Sequence, residues 1–390
     1  MRVTHVETFL VNPSSHRAGM IGGKNWLFVR IETEDGIVGW GECYTQLDRD
    51  RNIERHVHDL SRYLVGRDSR HIKHFCRMVY DDFAGRRGSM DLFSALSGIE
   101  IALWDIAGKR LGTPAHTLLG GACRQRVRVY ANGWYGGAKT PEQYAELAVA
   151  TVAQGFDALK FDPFPGPWRQ YVDRDVERAA VANVRAVREA VGPDVDLLIE
   201  VHRRLAPMHA IRVSHLMEEF DPFWFEEPVP ADNVPALAEV RRQTRLPVVT
   251  GEALYTKAEF REVFEQRAAD IVNPDVCSCG GLLEAKEIAA MAEPYYVAVS
   301  PHNYNSTAIG LAATLQLAAC IPNFIITEYF LNFRETAAEI SVAPFVVEQG
   351  HIRVPDGPGL GLELDEAALR ARPFEEQPLR SLPRWDQEHP

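Results

Sequence analysis

Glu200, Glu226 and Glu252 stand 26 residues apart, each closing a short apolar run: Asp196 to Glu200, Phe223 to Glu226 and Leu246 to Glu252. Three carboxylates forced together repel one another unless a hard cation sits between them, and oxygen-only ligands with room for water suit Mg²⁺. A stride of about 26 residues suits one strand, one helix and two short loops, the repeat of a β/α fold. If the strands are parallel neighbours, the acids at their carboxyl ends converge on one rim, which in barrels of this kind carries the active site. A single glutamate in such a place is more often a solvated loop acid. Three at equal spacing point to a metal site.

The other strand ends also carry ionisable residues, and of several kinds. They fall near Asp162 (with Lys160), Glu200 (with His202), Glu226, Glu252, Asp275, His302 and Glu328, separated by 38, 26, 26, 23, 27 and 26 residues. His302 follows Asp275 by one strand, and a carboxylate behind an imidazole fixes its tautomer and raises its basicity, as a general base requires. His202 lies two residues after Glu200, so strand alternation sends both to the same face or onto the rim, beside the metal.

The elements that position these groups follow from patterning. Residues 2–11 and 26–43 alternate apolar and polar, with Glu34-Asp35-Gly36 as a hairpin turn. Helical patterns at about 50–65, 71–83 and 90–111 come next. The last has Leu92, Leu96, Ile99, Leu103 and Ile106 on one face and Gly112 as its stop. Residues 1–120 therefore read as an α+β unit. From Val127 strands and helices alternate, the first helix opening on a Thr140-Pro141-Glu142-Gln143 capping box. With a strand ending near Asn132, eight strands are counted, and no glycine-rich phosphate turn follows the first, so the expectation is a closed barrel over 121–334 rather than an open doubly wound sheet. Residues 335–390 carry turn chemistry and short strands and are expected to fold back onto the first unit.

Composition narrows the classes. A formal net charge of −12 and a pI near 5.6 leave no basic footprint for nucleic acid. No run of about 18 apolar residues suits a membrane span, and the charged N-terminus lacks a signal peptide's apolar core, so a cytoplasmic protein is expected. Six scattered cysteines, including Cys277-Ser278-Cys279, lack zinc or redox spacing and are expected as small buried or half-buried residues.

The stretches Tyr130-Ala131-Asn132-Gly133-Trp134-Tyr135, Leu159-Lys160-Phe161-Asp162-Pro163-Phe164, Ile199-Glu200-Val201-His202-Arg203-Arg204, Phe225-Glu226-Glu227-Pro228, Thr250-Gly251-Glu252, Asn273-Pro274-Asp275 and Ser300-Pro301-His302-Asn303 resemble the enolase superfamily, mandelate racemase subgroup. The likeness runs over nearly the whole chain and is nearest to acid-sugar dehydratases of the gluconate and galactonate type. It implies a (β/α)7β TIM-like barrel under an N-terminal α+β cap completed by the C-terminal tail, and a homo-oligomer acting on a small sugar acid. It also implies one Mg²⁺ per subunit on Glu200, Glu226 and Glu252, with Glu200 a longer substitute for the Asp common at the first position.

A proton α to a carboxylate becomes removable only if the resulting enediolate is stabilised, which a divalent ion does. On this resemblance His302, backed by Asp275, takes the α-proton and His202, or His302 itself if the geometry is syn, protonates the departing β-hydroxyl, giving a 2-keto-3-deoxy acid. Lys160 is expected to bind a substrate carboxylate oxygen or steady the enediolate, and Asp162 to orient Lys160 or bind a sugar hydroxyl. Glu328 resembles a neutral acid that donates to the substrate carboxylate, and Arg204 is expected to anchor a substrate oxygen or a supporting carboxylate. Racemases of the subgroup carry a second lysine where this chain has Asp162, which disfavours racemisation or epimerisation. Racemisation, epimerisation or cycloisomerisation through the same enediolate, and carbohydrate binding by a metal-bound but catalytically silent protein, compete with dehydration. The Gly-rich segment 12–25 reads as a loop able to close over the barrel mouth, and Trp134, Tyr135, Trp168 and Tyr304 as candidate pocket walls.

Overall fold

The computed structural model describes residues 1–13, 24–84, 88–379, 382 and 384. Strands β1 (Val3–Val11), β2 (Trp26–Thr33) and β3 (Val38–Cys43) form an antiparallel sheet in which β1 pairs with β2, and β2 with β3. Helices α1 (Asp50–Leu64), α2 (Ile72–Val79), α3 (Met90–Leu111) and α4 (Ala115–Leu118) follow. The Ser89 side chain accepts from Leu92 N at the start of α3, and Gly112, at φ 64°, closes its end in the left-handed conformation. Helix α3 lies so close to β3 that a Cβ added at Gly41 would stand 1.8 Å from the Gly98 carbonyl oxygen. Glycine is therefore obligatory at that crossing.

Seven strand-helix units and a final strand come next: β4 (Arg126–Asn132), α5 (Pro141–Val152), β5 (Ala158–Phe161), α6 (Arg174–Val191), β6 (Asp196–Glu200), α7 (Pro207–Met217), β7 (Trp224–Glu226), α8 (Val234–Gln243), β8 (Val248–Thr250), α9 (Thr256–Glu265), β9 (Ile271–Val272), α10 (Leu282–Ala292), β10 (Ala298–Val299), α11 (Ile309–Cys320) and β11 (Thr327–Phe330). The strands are parallel, neighbours in chain order, with β11 returning beside β4. A parallel bridge between Val299 and Phe324 joins the two ends of the series, so the sheet closes as a (β/α)7β barrel. Tyr130, Ala158, Leu198, Trp224, Val249, Ile271 and Ile326 form one cluster inside it. One step further along β5, β6 and β7 the same inward face carries Lys160, Glu200 and Glu226, as a period of two requires. The barrel is thus apolar inside and ionic at its top.

After β11 come α12 (Arg334–Ile340), β12 (His351–Arg353) and α13 (Glu366–Arg370). Where only short strands were expected, the tail also forms two short helices. Strand β12 runs antiparallel to β4 of the barrel, while α13 meets the N-terminal sheet through Arg30 to Glu366 (2.8 Å) and Arg370 to Glu7 (2.8 Å). Two buried acids fasten the N-terminal unit to the barrel: Glu42 accepts from Ser306 N and Gly310 N at the start of α11, and Glu100 from Leu282 N and Leu283 N at the start of α10. No helix among the described residues is long and apolar enough to cross a membrane. The cysteines are free thiols; Cys123 is exposed, against expectation, because it lies in the connection between α4 and β4 rather than in a packed element.

Candidate active site

The strand ends bring a single ionic cluster to the carboxyl-terminal rim. Glu200 ends β6 and Glu226 ends β7, whereas Glu252, Asp275 and His302 lie two or three residues beyond β8, β9 and β10. Each of Glu200, Glu226 and Glu252 offers an oxygen within 4.8 Å of the others. Lys160, 2% exposed, bridges them: its Nζ stands 2.7 Å from Glu226, 3.0 Å from Glu200 and 3.5 Å from Glu328, above the Tyr130 ring that caps the apolar interior. Arg203 pairs with Glu252 and lies 3.7 Å from Glu227, which is itself held by Thr250 Oγ1 and Gly251 N.

The acids do not share one electrostatic fate. Burial, then the charge of Glu200, pushes the Glu226 carboxyl well above the usual range. Burial also raises Glu252, but Arg203 and His302 outweigh it and hold that carboxyl well below. One oxygen of Glu226 accepts from Lys160 and Asn273 (2.7 Å each); the other is buried with no hydrogen-bond partner among the described residues. An all-oxygen triplet, with the Glu226 carboxyl pushed up and one of its oxygens buried and unmet, fits a hard divalent cation.

Beside the triplet, His302 Nδ1 lies 2.6 Å from Asp275, and Nε2 lies 3.3 Å from Glu252 and 3.6 Å from Glu328. Asn305 donates to both Asp275 oxygens, at 3.0 and 2.9 Å. Burial lowers the His302 pKa, but Glu252, Glu328 and Asp275 more than offset it, raising it to about 8. Glu328 accepts from Asn132 Nδ2 (2.5 Å) and Asn303 N (2.8 Å). Burial raises Glu328, yet Lys160 and His302 prevail and hold it below its ordinary value. That favours the anion, in contrast to the neutral donor implied by the resemblance, because two cations flank it.

His202 reaches the rim by a route other than strand alternation. His202 and Arg203 have φ of 53° and 60°, so the chain turns back through the left-handed region and His202 N donates to Glu200 (2.7 Å). Its Nδ1 lies 2.7 Å from Asp162, whose other oxygen accepts from Phe164 N. Asp162 therefore holds His202 rather than Lys160. Arg204, buried, pairs with the same Asp162 oxygen and donates to the Val201 and Phe164 carbonyls, so its contacts are with the protein's own carboxylate. Trp168, half exposed, stacks on the His202 ring at 5.0 Å and 15°.

Residues 14–23 of the segment expected to close over the mouth lie outside the described residues. Several contributors escaped the sequence reading: Arg203, Asn132, Asn273, Asn305 and, from the N-terminal unit, Tyr44, whose ring stands 5.9 Å from His302. Asn132 ends β4 and Asn273 directly follows β9, strand-end positions that a search for ionisable groups alone passes over.

An α+β cap over a (β/α)7β barrel, with three acids and a histidine-aspartate pair at its rim, defines an enolase-like class of protein. Residues 1–120 match the family model "Mandelate racemase / muconate lactonizing enzyme, N-terminal domain", and residues 143–368 match "Enolase C-terminal domain-like". The chain belongs to the mandelate racemase/muconate lactonizing enzyme family. It is 36% identical to the D-galactonate dehydratase of Ralstonia nicotianae, over 99% of this chain and 96% of that protein. It is also 36% identical to the D-gluconate dehydratase of Thermoproteus tenax, over 92% of this chain and 72% of that one. Among solved structures, the mandelate racemase/muconate lactonizing enzyme-like protein from Roseovarius sp. TM1035 superposes with a TM-score of 0.88 at 36% identity, covering 96% of each chain.

Proposed function

We propose that the protein is a magnesium-dependent dehydratase that converts a sugar acid, an aldonate or a related acid, into its 2-keto-3-deoxy product. The observation that carries this reading is the approach of Glu200, Glu226 and Glu252 to within 4.8 Å beside the His302 and Asp275 pair. Glu200, Glu226 and Glu252 would hold the Mg²⁺, which when bound supplies the positive charge that makes the α-proton of a carboxylate acidic. His302, its Nδ1 directed to Asp275, takes that proton on Nε2. The electron pair left behind forms an enediolate, and Lys160 donates to the substrate carboxylate oxygens on which the charge gathers. His202, oriented by Asp162 and Arg204, gives a proton from Nε2 to the β-hydroxyl as the Cβ–O bond breaks. Water leaves, and the enol so formed tautomerises to the ketone.

The same reading carries a cap over 1–120, a barrel over 121–334 and a returning segment over 335–390, with one Mg²⁺ per subunit in a cytoplasmic homo-oligomer. Metal analysis, sedimentation and fractionation test these points directly. The reaction is tested by incubating the protein and Mg²⁺ with a stereochemically broad sugar-acid panel in D₂O. Appearance of 2-keto-3-deoxy acids is expected. Solvent exchange at the α-carbon without a keto product would replace dehydration by racemisation, epimerisation or cycloisomerisation, and no exchange on any acid would leave a silent binding protein.

A further inference from the structure

We propose that Lys24 reads the far end of the substrate, and that the preferred substrates carry a second carboxylate there: aldarates, sugar acids oxidised at both ends. The inference rests on the dehydratase reading above and narrows its substrate class beyond the aldonates named for the relatives.

Lys24 comes from the N-terminal unit just before β2 and is 2% exposed. Its ammonium makes one hydrogen bond, to the Thr45 carbonyl at 3.2 Å, and no ion pair among the described residues. Lysines are seldom this buried without an acid, since a charge removed from water needs a partner. What surrounds Nζ instead is two aromatic faces, Tyr44 at 4.0 Å and Tyr304 at 4.4 Å. Two such faces hold a cation in place without accepting the hydrogen bonds a carboxylate would.

The acids near enough to feel that charge, Asp275, Glu42 and Glu328, are each engaged elsewhere. Asp275 is taken by His302 and Asn305, Glu42 by Ser306 and Gly310, and Glu328 by Asn132 and Asn303. The geometry also puts the ammonium beside the reacting centre. The Tyr44 ring that Lys24 covers is the ring that stands 5.9 Å from His302.

Both lysines feel the charge of Glu328, Lys160 from 3.5 Å. Lys160 sits among Glu200 and Glu226, where the first carboxylate of a substrate belongs, while Lys24 lies toward the N-terminal unit with Tyr44 and Tyr304. A sugar hydroxyl could accept from Lys24 but only as a neutral acceptor, like the Thr45 carbonyl already there. A carboxylate would complete the pair, and charge-assisted hydrogen bonds are about twice as strong as neutral ones.

The test compares matched pairs, galactarate against galactonate and glucarate against gluconate, by kcat/KM in the wild type, Lys24→Met and Lys24→Arg. At least one diacid should be preferred by about tenfold or more in the wild type. The diacid-to-monoacid ratio should fall about 10- to 100-fold in Lys24→Met and be largely kept in Lys24→Arg. Calorimetry on His302→Asn, which cannot abstract the proton, should show the same preference in binding and serves as the measurement if Lys24→Met does not fold. Turnover of aldonates with no diacid preference, or a ratio that Lys24→Met leaves unchanged, overturns the assignment of Lys24 and spares the dehydratase. Turnover of no sugar acid at all overturns both.

Discussion

Two sets of buried glutamates in this chain look alike by exposure and differ in what their oxygens face. Glu42 and Glu100, between the N-terminal unit and the barrel, are each 1% exposed; Glu200 and Glu226, at the rim, are 1% and 0% exposed. The first pair is met by backbone N–H groups at the starts of α11 and α10, where unpaired donors and the helix dipole favour a carboxylate. Trp104 Nε1 adds a third donor to Glu100 at 2.7 Å. The second pair meets no helix start: Glu200 accepts one backbone N–H, from His202, and the other neighbours are acids, one lysine and, for Glu226, an asparagine. Burial of an acid therefore says little about function. What its lone pairs face says more.

Neutralising one acid from each set should break the resemblance. Glu226→Gln keeps the volume and the contact with Lys160 but removes a ligand charge. Turnover should fall by more than about 10³-fold and Mg²⁺ affinity by more than about 100-fold, measured by single-turnover assay and calorimetry. The melting temperature should hold or rise, because a repelling carboxylate is gone. His302→Asn sharpens the contrast within the rim itself: α-proton exchange in D₂O should stop while Mg²⁺ affinity stays within a few-fold. Wild-type exchange in that variant would remove His302 from the role of base.

Glu100→Ala should do the opposite of Glu226→Gln. It strands the N–H groups of Leu282 and Leu283 and the Trp104 indole in a buried seam. A loss of about 3 kcal/mol in unfolding free energy is expected, with kcat/KM changed less than about tenfold in the folded protein. Chemical denaturation at fixed pH measures it.

How much of this was legible in the chain follows the same division. The acid stride, Asp275 before His302, and the alternation of β5 to β7 are consequences of repeat length and of a period of two, so the rim could be read from spacing. His202 could be placed near Glu200 but not given its partner, since alternation ends with the strand and φ of 53° and 60° at His202 and Arg203 redirects the chain toward Asp162. Glu42 and Glu100 carried no signal, because a carboxylate that caps a helix 182 residues or more away depends on how two units dock. Lys24 and Tyr44 are of this second kind. The tail's short helices were missed because Arg334–Ile340 and Glu366–Arg370 are too brief to show a helical period.

The smallest change per pH unit comes from titrating the seam acid Glu100. Burial raises the Glu100 carboxyl to about 7 even though Leu283 N, Leu282 N and Trp104 pull it down. Its unfolded value is the ordinary 4.5, so between pH 4.5 and 7 the folded state binds more protons than the unfolded one. The stabilising contribution is whole below pH 4.5 and is lost as pH rises through 7, with a slope of at most about 1.4 kcal/mol per pH unit. Glu100→Gln, which cannot titrate, should flatten that part of the stability profile relative to the wild type. Urea melts at half-unit intervals from pH 4.5 to 7.5 measure the difference between the two slopes. Equal slopes would mean that the helix N–H groups keep Glu100 ionised throughout, and that the seam acids are better compensated than their burial implies.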